Sequence, residues 1–302
     1  MDLGNSMGKK VQILMSTYNG EKYLREQLDS LLAQSYPDIE ILIRDDGSKD
    51  HTVSVLQEYS NRYDNIQVFP EKNTGVTDSF FELLKKSDAD YIAFCDQDDV
   101  WLEQKVERAV EKISRFTEPA LYIGNKILVD ADLNIISEGD TRSLKPGFGN
   151  ALVESIGSGC TMMMNRSLAE ALRMHIPKQA VIHDWWCYLA AAYLGTVVYD
   201  RNQYIWYRQH GNNEVGGSDS FFGQLKGKIR YLKKSRGKLA KQLEEFKQYY
   251  HSDEEKDRQL QELLDASAVS KRMKVVRDKT IYRQNGLDNR MMHLLVLANR
   301  ML

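Results

Sequence analysis

A hydrophobic run ends abruptly in three carboxylates at residues 91–101, YIAFCDQDDVW. Like charges this close together repel each other and resist removal from water. Because alternate residues of extended chain project to the same side, Asp96 and Asp98 could both bind one cation. Hard ions such as Mg²⁺ or Mn²⁺ take carboxylate oxygens, usually together with waters and phosphates. The alternative is an aspartate-rich turn in which Asp99 is the N-cap of the next helix.

A second acidic motif, DDGS at residues 45–48, follows another branched apolar run. An aspartate there could accept a hydrogen bond from a pyrimidine N–H or a ribose hydroxyl, or the motif could be a plain strand-to-helix turn. Neither G-x-G-x-x-G nor G-x-x-x-x-G-K-[ST] follows any of the apolar runs, so the glycine-rich loops that bind dinucleotides and triphosphates are missing. A nucleotide would have to be held by carboxylates and a metal ion.

Four apolar runs, each followed by residues at helical spacing, predict the strands and helices that position these motifs. The runs are VQILM (11–15), IEILI (39–43), NIQVF (65–69) and YIAFC (91–95). Strands that alternate with helices imply a parallel, doubly wound sheet. Ligands bind beyond the carboxyl ends of such strands, so the loops STYNG, DDGS, KNTG and DQDD should converge at one edge.

Beyond residue 118 the regular alternation stops. The pattern predicts strands at 120–130 and 134–139, a turn GSGC at 157–160, a short strand, a helix from Ser167 and an apolar helix at 183–195. A last strand pair, TVVYD and QYIWYR, precedes a polar loop, and a separate Lys-rich helical region begins at about Phe221.

The composition is that of an ordinary soluble globular protein, with 42% hydrophobic and 28% charged residues in a chain of 302. Cys95, Cys160 and Cys187 are odd in number and lie far apart in apolar segments, a pattern typical of reduced thiols in a cytoplasmic protein. The sequence shows neither a signal peptide nor an apolar run of the roughly 20 residues that a membrane span needs.

The charge is unevenly distributed although the net charge is only −2. Residues 226–302 contain 19 Lys or Arg and 10 Asp or Glu, a net charge of +9, which leaves −11 for residues 1–225. A basic tail on an acidic body indicates an anionic partner such as a membrane surface or an acidic protein. The alternative is a solvated helical face. The net charge does not indicate nucleic acid, and we expect none as a partner.

The motifs taken together resemble one family. STYNG, DDGSKD, KNTGV, FCDQDDVW, GSGCTMMMNR, HDWW and YRQHGNN occur in the order expected of a family 2 glycosyltransferase with the GT-A fold. Within that family the sequence is most similar to bacterial rhamnosyltransferases that build cell-wall or capsular polysaccharide. The resemblance extends from about residue 10 to residue 217. It implies an α/β fold with a mostly parallel central sheet and helices on both faces, followed here by a helical C-terminal region.

The resemblance assigns donor-binding roles to residues of the converging loops. It implies that the nucleotide sugar is bound by Thr17, Tyr18, Glu21, Asp45, Asp46, Asn73, Gly75, Asp96 and Gln97. Asp96 and Asp98 would be the DxD motif, with Asp96 directed to the ribose or sugar and Asp98 to a Mg²⁺ or Mn²⁺ ion. His210, in YRQHGNN, lies where many relatives place a further metal or diphosphate ligand, although a histidine in a polar loop can equally be only hydrogen-bonded.

For the chemical step, the resemblance points to Asp184. Inverting members of the family use a carboxylate at a helix entrance as general base, and HDWW differs from their commoner Glu-Asp pair by having His183 first. An ordinary Asp pKa of about 3.9 is low for that role, and enclosure by tryptophans would raise it. The alternative is that Asp184 only caps the helix, with Trp185 in the core. We expect Gly159, Cys160, His183 and Trp185 near the acceptor, although GSGC could be only a tight turn.

The resulting hypothesis is a metal-dependent inverting transferase that moves L-rhamnose from dTDP-rhamnose, or a hexose from a UDP-sugar, to a lipid-linked glycan. A sugar-1-phosphate nucleotidyltransferase and an inactive sugar-binding module are the alternatives. We predict a disordered leader at 1–9, a GT-A domain at 10–220 with nucleotide-binding and acceptor-binding halves at 10–118 and 119–220, and a basic helical region at 221–302. That region would bind the inner face of the plasma membrane or form a homodimer.

Overall fold

The computed structural model describes residues 8–140, 142–209 and 237–302. The chain forms two compact units. The first contains the described residues of Met1–Ser143, Gly157–Ile176 and Leu194–Gln209, and the second those of Leu144–Ile156, Pro177–Tyr193 and His210–Leu302. The predicted division at residue 220 stays a prediction, because the chain around it lies outside the described residues.

The first unit contains a nine-stranded sheet in its described residues. Its strands are β1 (Val11–Thr17), β2 (Ile39–Asp45), β3 (Ile66–Pro70), β4 (Tyr91–Cys95), β5 (Val100–Trp101), β6 (Ala120–Val129), β7 (Ile135–Ser137), β8 (Met162–Asn165) and β9 (Thr196–Arg208). The order is β3-β2-β1-β4-β8-β6-β9-β5, with β7 paired to β6. Its helices are α1 (Leu24–Leu32), α2 (Thr52–Arg62), α3 (Val76–Lys86), α4 (Lys105–Ile113) and α6 (Arg166–Met174).

The four predicted parallel strands are confirmed. β1 pairs in parallel with both β2 and β4, and β2 with β3. All five residues of β4 are buried, as expected of a continuous apolar run covered on both faces. The helices between them are amphipathic; in α3 the buried side includes Phe80, Phe81, Leu83 and Leu84. This packing fixes the edge from which the polar loops emerge.

Strand direction brings the later strands to the same edge. β8 is antiparallel to both β4 and β6, so β4 and β6 run in the same direction, and β9 is parallel to β6. The carboxyl ends of β4, β6 and β9 therefore point to one edge, together with those of β1 and β2. The loop after β4 and the end of β9 can meet there although they are far apart in sequence.

The predicted last strand pair is wrong, because residues 196–208 form one strand. The segment between the two predicted strands contains Asp200 and Asn202, residue types that are common in turns. Asp200 accepts hydrogen bonds from the backbone amide and the side-chain amide of Asn202 (3.0 and 2.9 Å). The ladder to β6 shifts register around Asn125 and then continues to Arg208. Asp200 and Asn202 lie opposite this register shift, and the chain continues in the same direction through them.

The second unit is helical. It contains α5 (Phe148–Ala151), most of α7 (His183–Leu194), α8 (Lys238–Tyr249), α9 (Glu254–Leu264), α10 (Val269–Arg277) and α11 (Gly286–Leu297). Trp186 of α7 packs edge-to-face on Phe246 of α8, with 5.5 Å between ring centroids. The Glu245 carboxylate accepts from the amides of Lys178 and Gln179. These contacts attach the tail helices to the segment that enters α7. No helix of the described residues is long and apolar enough to cross a membrane.

Candidate functional site

Gln97 joins the loop after β4 to the loop after β1. The amide of Tyr18 donates to Oε1 of Gln97 (2.9 Å), and Nε2 of Gln97 donates to the Tyr18 carbonyl (3.1 Å). The glutamine thus bonds the Tyr18 backbone as a neighbouring strand would. Gly20 allows this approach, because a Cβ at that position would overlap the Gln97 amide. The Tyr18 side chain stays 46% exposed and is available to a ligand.

Asp45 ends β2 and is almost completely buried. Its carboxylate accepts hydrogen bonds from Oγ1 of Thr17 (3.1 Å), the amides of Gly47 (3.1 Å) and Ser48 (2.9 Å), and the Ser48 hydroxyl (2.5 Å). These donors occupy both oxygens. Of the two roles that the sequence allowed for DDGS, these contacts match that of a strand-to-helix turn. Asp45 also holds the end of β1 through its bond with Thr17.

Asp46 joins the end of β2 to the third loop. It forms a buried ion pair with Arg44 and accepts from the amides of Thr74 (2.9 Å) and Gly75 (2.8 Å). Burial alone would raise the pKa of this carboxyl, but the Arg44 guanidinium and the two amides hold it below its ordinary value. Gly75 has φ of +87°, which favours glycine, and it precedes α3. Asn73 is an exposed residue whose backbone nitrogen lies beside Gly47.

Two further contacts complete the joining of the loops. The Asn19 amide donates to the Ser48 hydroxyl (2.9 Å), and the Glu21 carboxylate accepts from the His51 amide (2.6 Å). Every one of the four predicted loops is therefore hydrogen-bonded to at least one of the others. The predicted convergence at the carboxyl edge is confirmed.

The acidic group of the first unit contains Asp96, Asp99 and Cys160, with one potential ligand atom of each within 4.8 Å of the others. Asp99 is completely buried and accepts from the Arg208 amide (3.0 Å). Burial and the charges of Asp96 and Asp98 raise its pKa well above the ordinary value. Asp99 precedes β5 and does not cap a helix, so the predicted N-cap alternative is wrong.

The potential ligand atoms of the loop after β4 and of Cys160 fit a hard cation only in part. Asp96 and Asp98 are half-buried carboxylates, the ligand type that Mg²⁺ and Mn²⁺ prefer. Cys160 is a soft ligand, and burial raises the pKa of its thiol, which keeps it protonated. Asp96 and Asp98 fit the predicted metal, whereas the thiol and the buried Asp99, whose pKa is raised, do not. Cys95, Cys160 and Cys187 are all free thiols, as predicted.

The GSGC segment, residues 157–160, precedes β8 and places Cys160 beside Asp96 and Asp99. A Cβ at Gly157 would lie 2.5 Å from Ile123, and Cys160 is completely buried, so the turn is tightly packed. Gly159 begins a short 3₁₀ turn. The tight-turn alternative describes these contacts, and an acceptor role for Gly159 and Cys160 stays a prediction.

Sequence reasoning missed three cationic residues of this edge. Lys126 on β6 donates to the Ser158 hydroxyl (2.7 Å), with its Nζ 3.7 Å from the centre of the Tyr207 ring. Arg44 pairs with Asp46, and Arg208 bonds the loop after β4. A charged residue within an otherwise apolar strand was the available signal, because such a residue is buried only with a partner.

The predicted chemical residues lie in the second unit. Asp184 is 8% exposed and is the second residue of α7, inside its first turn. Asp184 is therefore not the N-cap residue that the alternative required, and its role in catalysis stays a prediction. Burial lowers the pKa of His183 to about 3, so its imidazole is neutral. Trp185 donates from its indole to the Ala151 carbonyl (2.7 Å) and belongs to the core. His210 lies outside the described residues.

Sequence comparisons identify the family to which the chain is similar. A family model described as Glycosyl transferase family 2 matches residues 12–173. The protein named dTDP-rhamnosyl transferase RfbG, of Shigella flexneri, is 32% identical over 227 residues, which cover 70% of this chain and 77% of that one.

Solved structures share the fold. Mannosyltransferase PcManGT from Pyrobaculum calidifontis, in complex with GDP-Man and Mn²⁺, has a TM-score of 0.60 at 15% identity and covers 96% of this chain and 81% of its own. The fragment 1-349 of S. aureus TarS, in complex with UDP-GlcNAc, has a TM-score of 0.57 at 17% identity, with 96% and 80% covered. With the observed sheet order, these likenesses confirm the predicted GT-A fold class.

Proposed function

The chain belongs to glycosyl transferase family 2 and is a glycosyltransferase, and from this premise we propose that it transfers L-rhamnose from dTDP-rhamnose to a lipid-linked glycan. The name of the Shigella relative supports rhamnose. The S. aureus structure contains UDP-GlcNAc, which keeps a UDP-hexose donor as the alternative. The observation that carries the proposal is the hydrogen-bonded convergence of four polar loops beside Asp96 and Asp98. It supplies a donor site without any glycine-rich phosphate loop.

In the proposed donor site, Asp96 and Asp98 would hold a Mg²⁺ or Mn²⁺ ion. When bound, such an ion neutralises charge that develops on the leaving diphosphate. Gln97 fixes the spacing between this loop and Tyr18, whose exposed ring can stack on the nucleobase. Asp45 and Asp46 shape the pocket mainly through the loops that they bond. We keep Thr17, Glu21, Asn73 and Gly75, which belong to the same loops, as proposed donor-binding residues.

We assign the acceptor proton to Asp184. A carboxylate in the first turn of a helix can take the proton of an attacking hydroxyl, and a single displacement would invert the anomeric centre. His183 is neutral and buried, so its proposed part is to shape the acceptor side and not to carry charge. Trp185, held at Ala151, would serve as a fixed wall of that side. His210 stays a candidate diphosphate or metal ligand.

A screen of nucleotide sugars for slow donor hydrolysis tests the proposal. We expect release of dTDP from dTDP-rhamnose in the presence of Mg²⁺ or Mn²⁺, faster than release of UDP from UDP-hexoses. Asp98→Ala should abolish the metal-dependent binding of the donor. Formation of a nucleotide sugar from a sugar phosphate and a nucleoside triphosphate would instead indicate a nucleotidyltransferase. Absence of hydrolysis with every donor would indicate a binding module.

The proposed membrane contact is supported by the last described helix. On α11 the side chains of Met292 and Val296 are buried, while Leu287 (69%) and Leu294 (66%) on the opposite side are exposed. At 100° per residue, Arg290 falls on the exposed side as well. An apolar stripe with a cation suits the interface of an anionic bilayer, where each buried leucine contributes up to about 1.5–3 kcal/mol. A lipid-linked acceptor would lie at such a surface.

Sedimentation with vesicles tests this contact. The protein should bind phosphatidylglycerol vesicles at low salt, bind phosphatidylcholine vesicles less, and lose binding after Leu287→Gln with Leu294→Gln. Met174→Gln, at an exposed apolar residue of the first unit (88%), is the matched control. If the leucine variant instead changes only the oligomeric state in lipid-free sedimentation velocity, the surface is a homodimer contact and the membrane proposal is wrong.

A further inference from the structure

Arg208 is one of the largest fully buried side chains of the described residues. It ends β9, at the edge of the sheet from which the loop after β4 emerges. We call that loop, residues 96–99, the acidic loop. Its amide donates to Asp99 (3.0 Å), and its Nε donates to the carbonyl of Asp98 (2.9 Å). One residue thus bonds two consecutive residues of the acidic loop. A buried guanidinium is costly unless its donors are satisfied, so these bonds strongly favour one position of the loop.

The outer end of the same guanidinium reaches two other elements. One terminal nitrogen donates to the Ala131 carbonyl in the turn after β6, and the other to the carboxylate of Glu26 on α1. The guanidinium also lies 4.3 Å from the centre of the Tyr23 ring. Arg208 therefore ties the acidic loop to α1 and to the β6–β7 turn, both of which are anchored in the sheet unit.

We propose that Arg208 is a positioning residue for the carboxylates that bind the metal ion, an inference that rests on the proposed function. It fixes the Asp98 backbone on one side of the loop, while Gln97 fixes the other side at Tyr18. The Asp98 carboxylate then extends from a backbone whose position is set before any ligand arrives. Partners outside the first shell of a metal commonly determine affinity in this way, and their loss costs about 10–100-fold.

The chemistry requires arginine at this position. Three acceptors in different directions match the planar fork of a guanidinium, whereas a lysine ammonium is a compact point charge that cannot reach all of them. Arg208→Lys therefore keeps the charge and removes the bond to the Asp98 carbonyl. A residue that only stabilised the fold would lower the melting temperature without changing metal affinity in the folded protein.

The test measures Mn²⁺ binding to the full chain by electron paramagnetic resonance, with UDP or dTDP present, together with thermal unfolding. We expect Arg208→Lys to remain folded at the measuring temperature and to bind Mn²⁺ about 10–100-fold more weakly. Arg25→Lys is the control, because Arg25 lies on α1 next to Glu26 but pairs with the exposed Glu58. This variant should bind Mn²⁺ as the wild type does. In activity assays, the metal concentration for half-maximal rate should rise more than the maximal rate falls.

Each outcome decides the matter. Wild-type affinity in folded Arg208→Lys overturns the inference and leaves the proposed function intact. A wild-type protein that binds no Mn²⁺ overturns the metal site itself, and this inference with it. If Arg208→Lys does not fold, Glu26→Ala removes the acceptor of one arm of the guanidinium at a half-exposed partner. That variant should weaken Mn²⁺ binding by less than the about 10–100-fold expected of Arg208→Lys, and unchanged binding would contradict the role.

Discussion

The acidic edge of the sheet unit and the first turn of α7 both present aspartates, but they surround them in opposite ways. At the edge, Asp45 accepts from two amides and two hydroxyls, and Asp46 pairs with Arg44. For Asp46 these donors stabilise the ionised form. In α7, Asp184 belongs to a helix whose residues His183 to Tyr193 are all buried, most of them apolar or aromatic.

The titration of neighbouring groups shows the same contrast. The amides and guanidinium at the edge hold the pKa of Asp46 below its ordinary value in spite of burial. In α7, burial lowers the pKa of His183 to about 3 and raises that of the Cys187 thiol, so both are neutral. At the edge the hydrogen-bonded Asp46 therefore stays ionised, whereas the completely buried Asp99 and Cys160 have raised pKa values. Burial thus holds His183 and Cys187 of α7 neutral, and a general-base role for Asp184 stays a prediction.

The largest effect expected from this contrast is on the rate after Asp184→Asn. The amide cannot accept the proton of the attacking hydroxyl, so transfer should fall by roughly 10²–10⁴ while donor binding stays unchanged. Transfer is measured with a glycan acceptor and donor affinity by calorimetry with dTDP or UDP. Glu255→Gln, at an exposed carboxylate of the second unit, is the control. A loss of affinity in place of rate would move Asp184 into the donor site.

The next largest effect concerns stability, and it tests the edge. Asp46→Asn leaves the Arg44 guanidinium buried without its counter-charge, which typically costs about 3–5 kcal/mol. The free energy of unfolding in urea measures the change. Glu58→Gln removes a carboxylate from the exposed Arg25–Glu58 pair and should leave stability unchanged. Equal effects of the two substitutions would show that the edge carboxylate is not specially held.

Much of the edge could be predicted because its signals are local. An apolar run buried on both faces, ended by Asp, Gly or Asn, identifies both the strand and the loop after it. Strand alternation then requires the loops after β1, β2 and β4 to meet. The contacts of Gln97 with Tyr18 and of Thr17 with Asp45 follow from that geometry. Their roles toward a ligand are chemical statements and stay predictions.

The rest depends on contacts between residues far apart in sequence. Asp99 looked like a helix cap because nothing nearby in sequence indicates that Arg208, 109 residues later, supplies its hydrogen bond. Cys160 joins Asp96 and Asp99 only because β8 lies beside β4. The single strand β9 was predicted as two because Asp200 and Asn202 are residue types common in turns. The register shift between β6 and β9 depends on both strands and cannot be recognised in the sequence of either one.

A smaller effect, on pH dependence, tests the α7 entrance. The pKa of His183 is about 3 in the folded protein and about 6.5 when unfolded. As pH falls below 6.5 the unfolded chain binds the proton first, so stability decreases by about 1.4 kcal/mol per pH unit until the folded pKa is reached. His183→Asn should flatten the urea midpoint between pH 6 and pH 4, whereas His251→Gln, at an exposed histidine, should not. An unchanged slope would place His183 in contact with water or a carboxylate.

The smallest effect isolates the contact between the loops at the edge. Gly20→Ala places a Cβ where the Gln97 amide lies, so the amide must move and lose its two bonds to the Tyr18 backbone. Each such bond contributes about 0.5–1.5 kcal/mol. Gln97→Ala should cost a similar amount, and adding Gly20→Ala to it should cost little more, because the overlapping group is gone. Unfolding free energies of the two single variants and the double variant give the coupling. Full additivity would mean that Gly20 serves the local backbone and not the approach of Gln97.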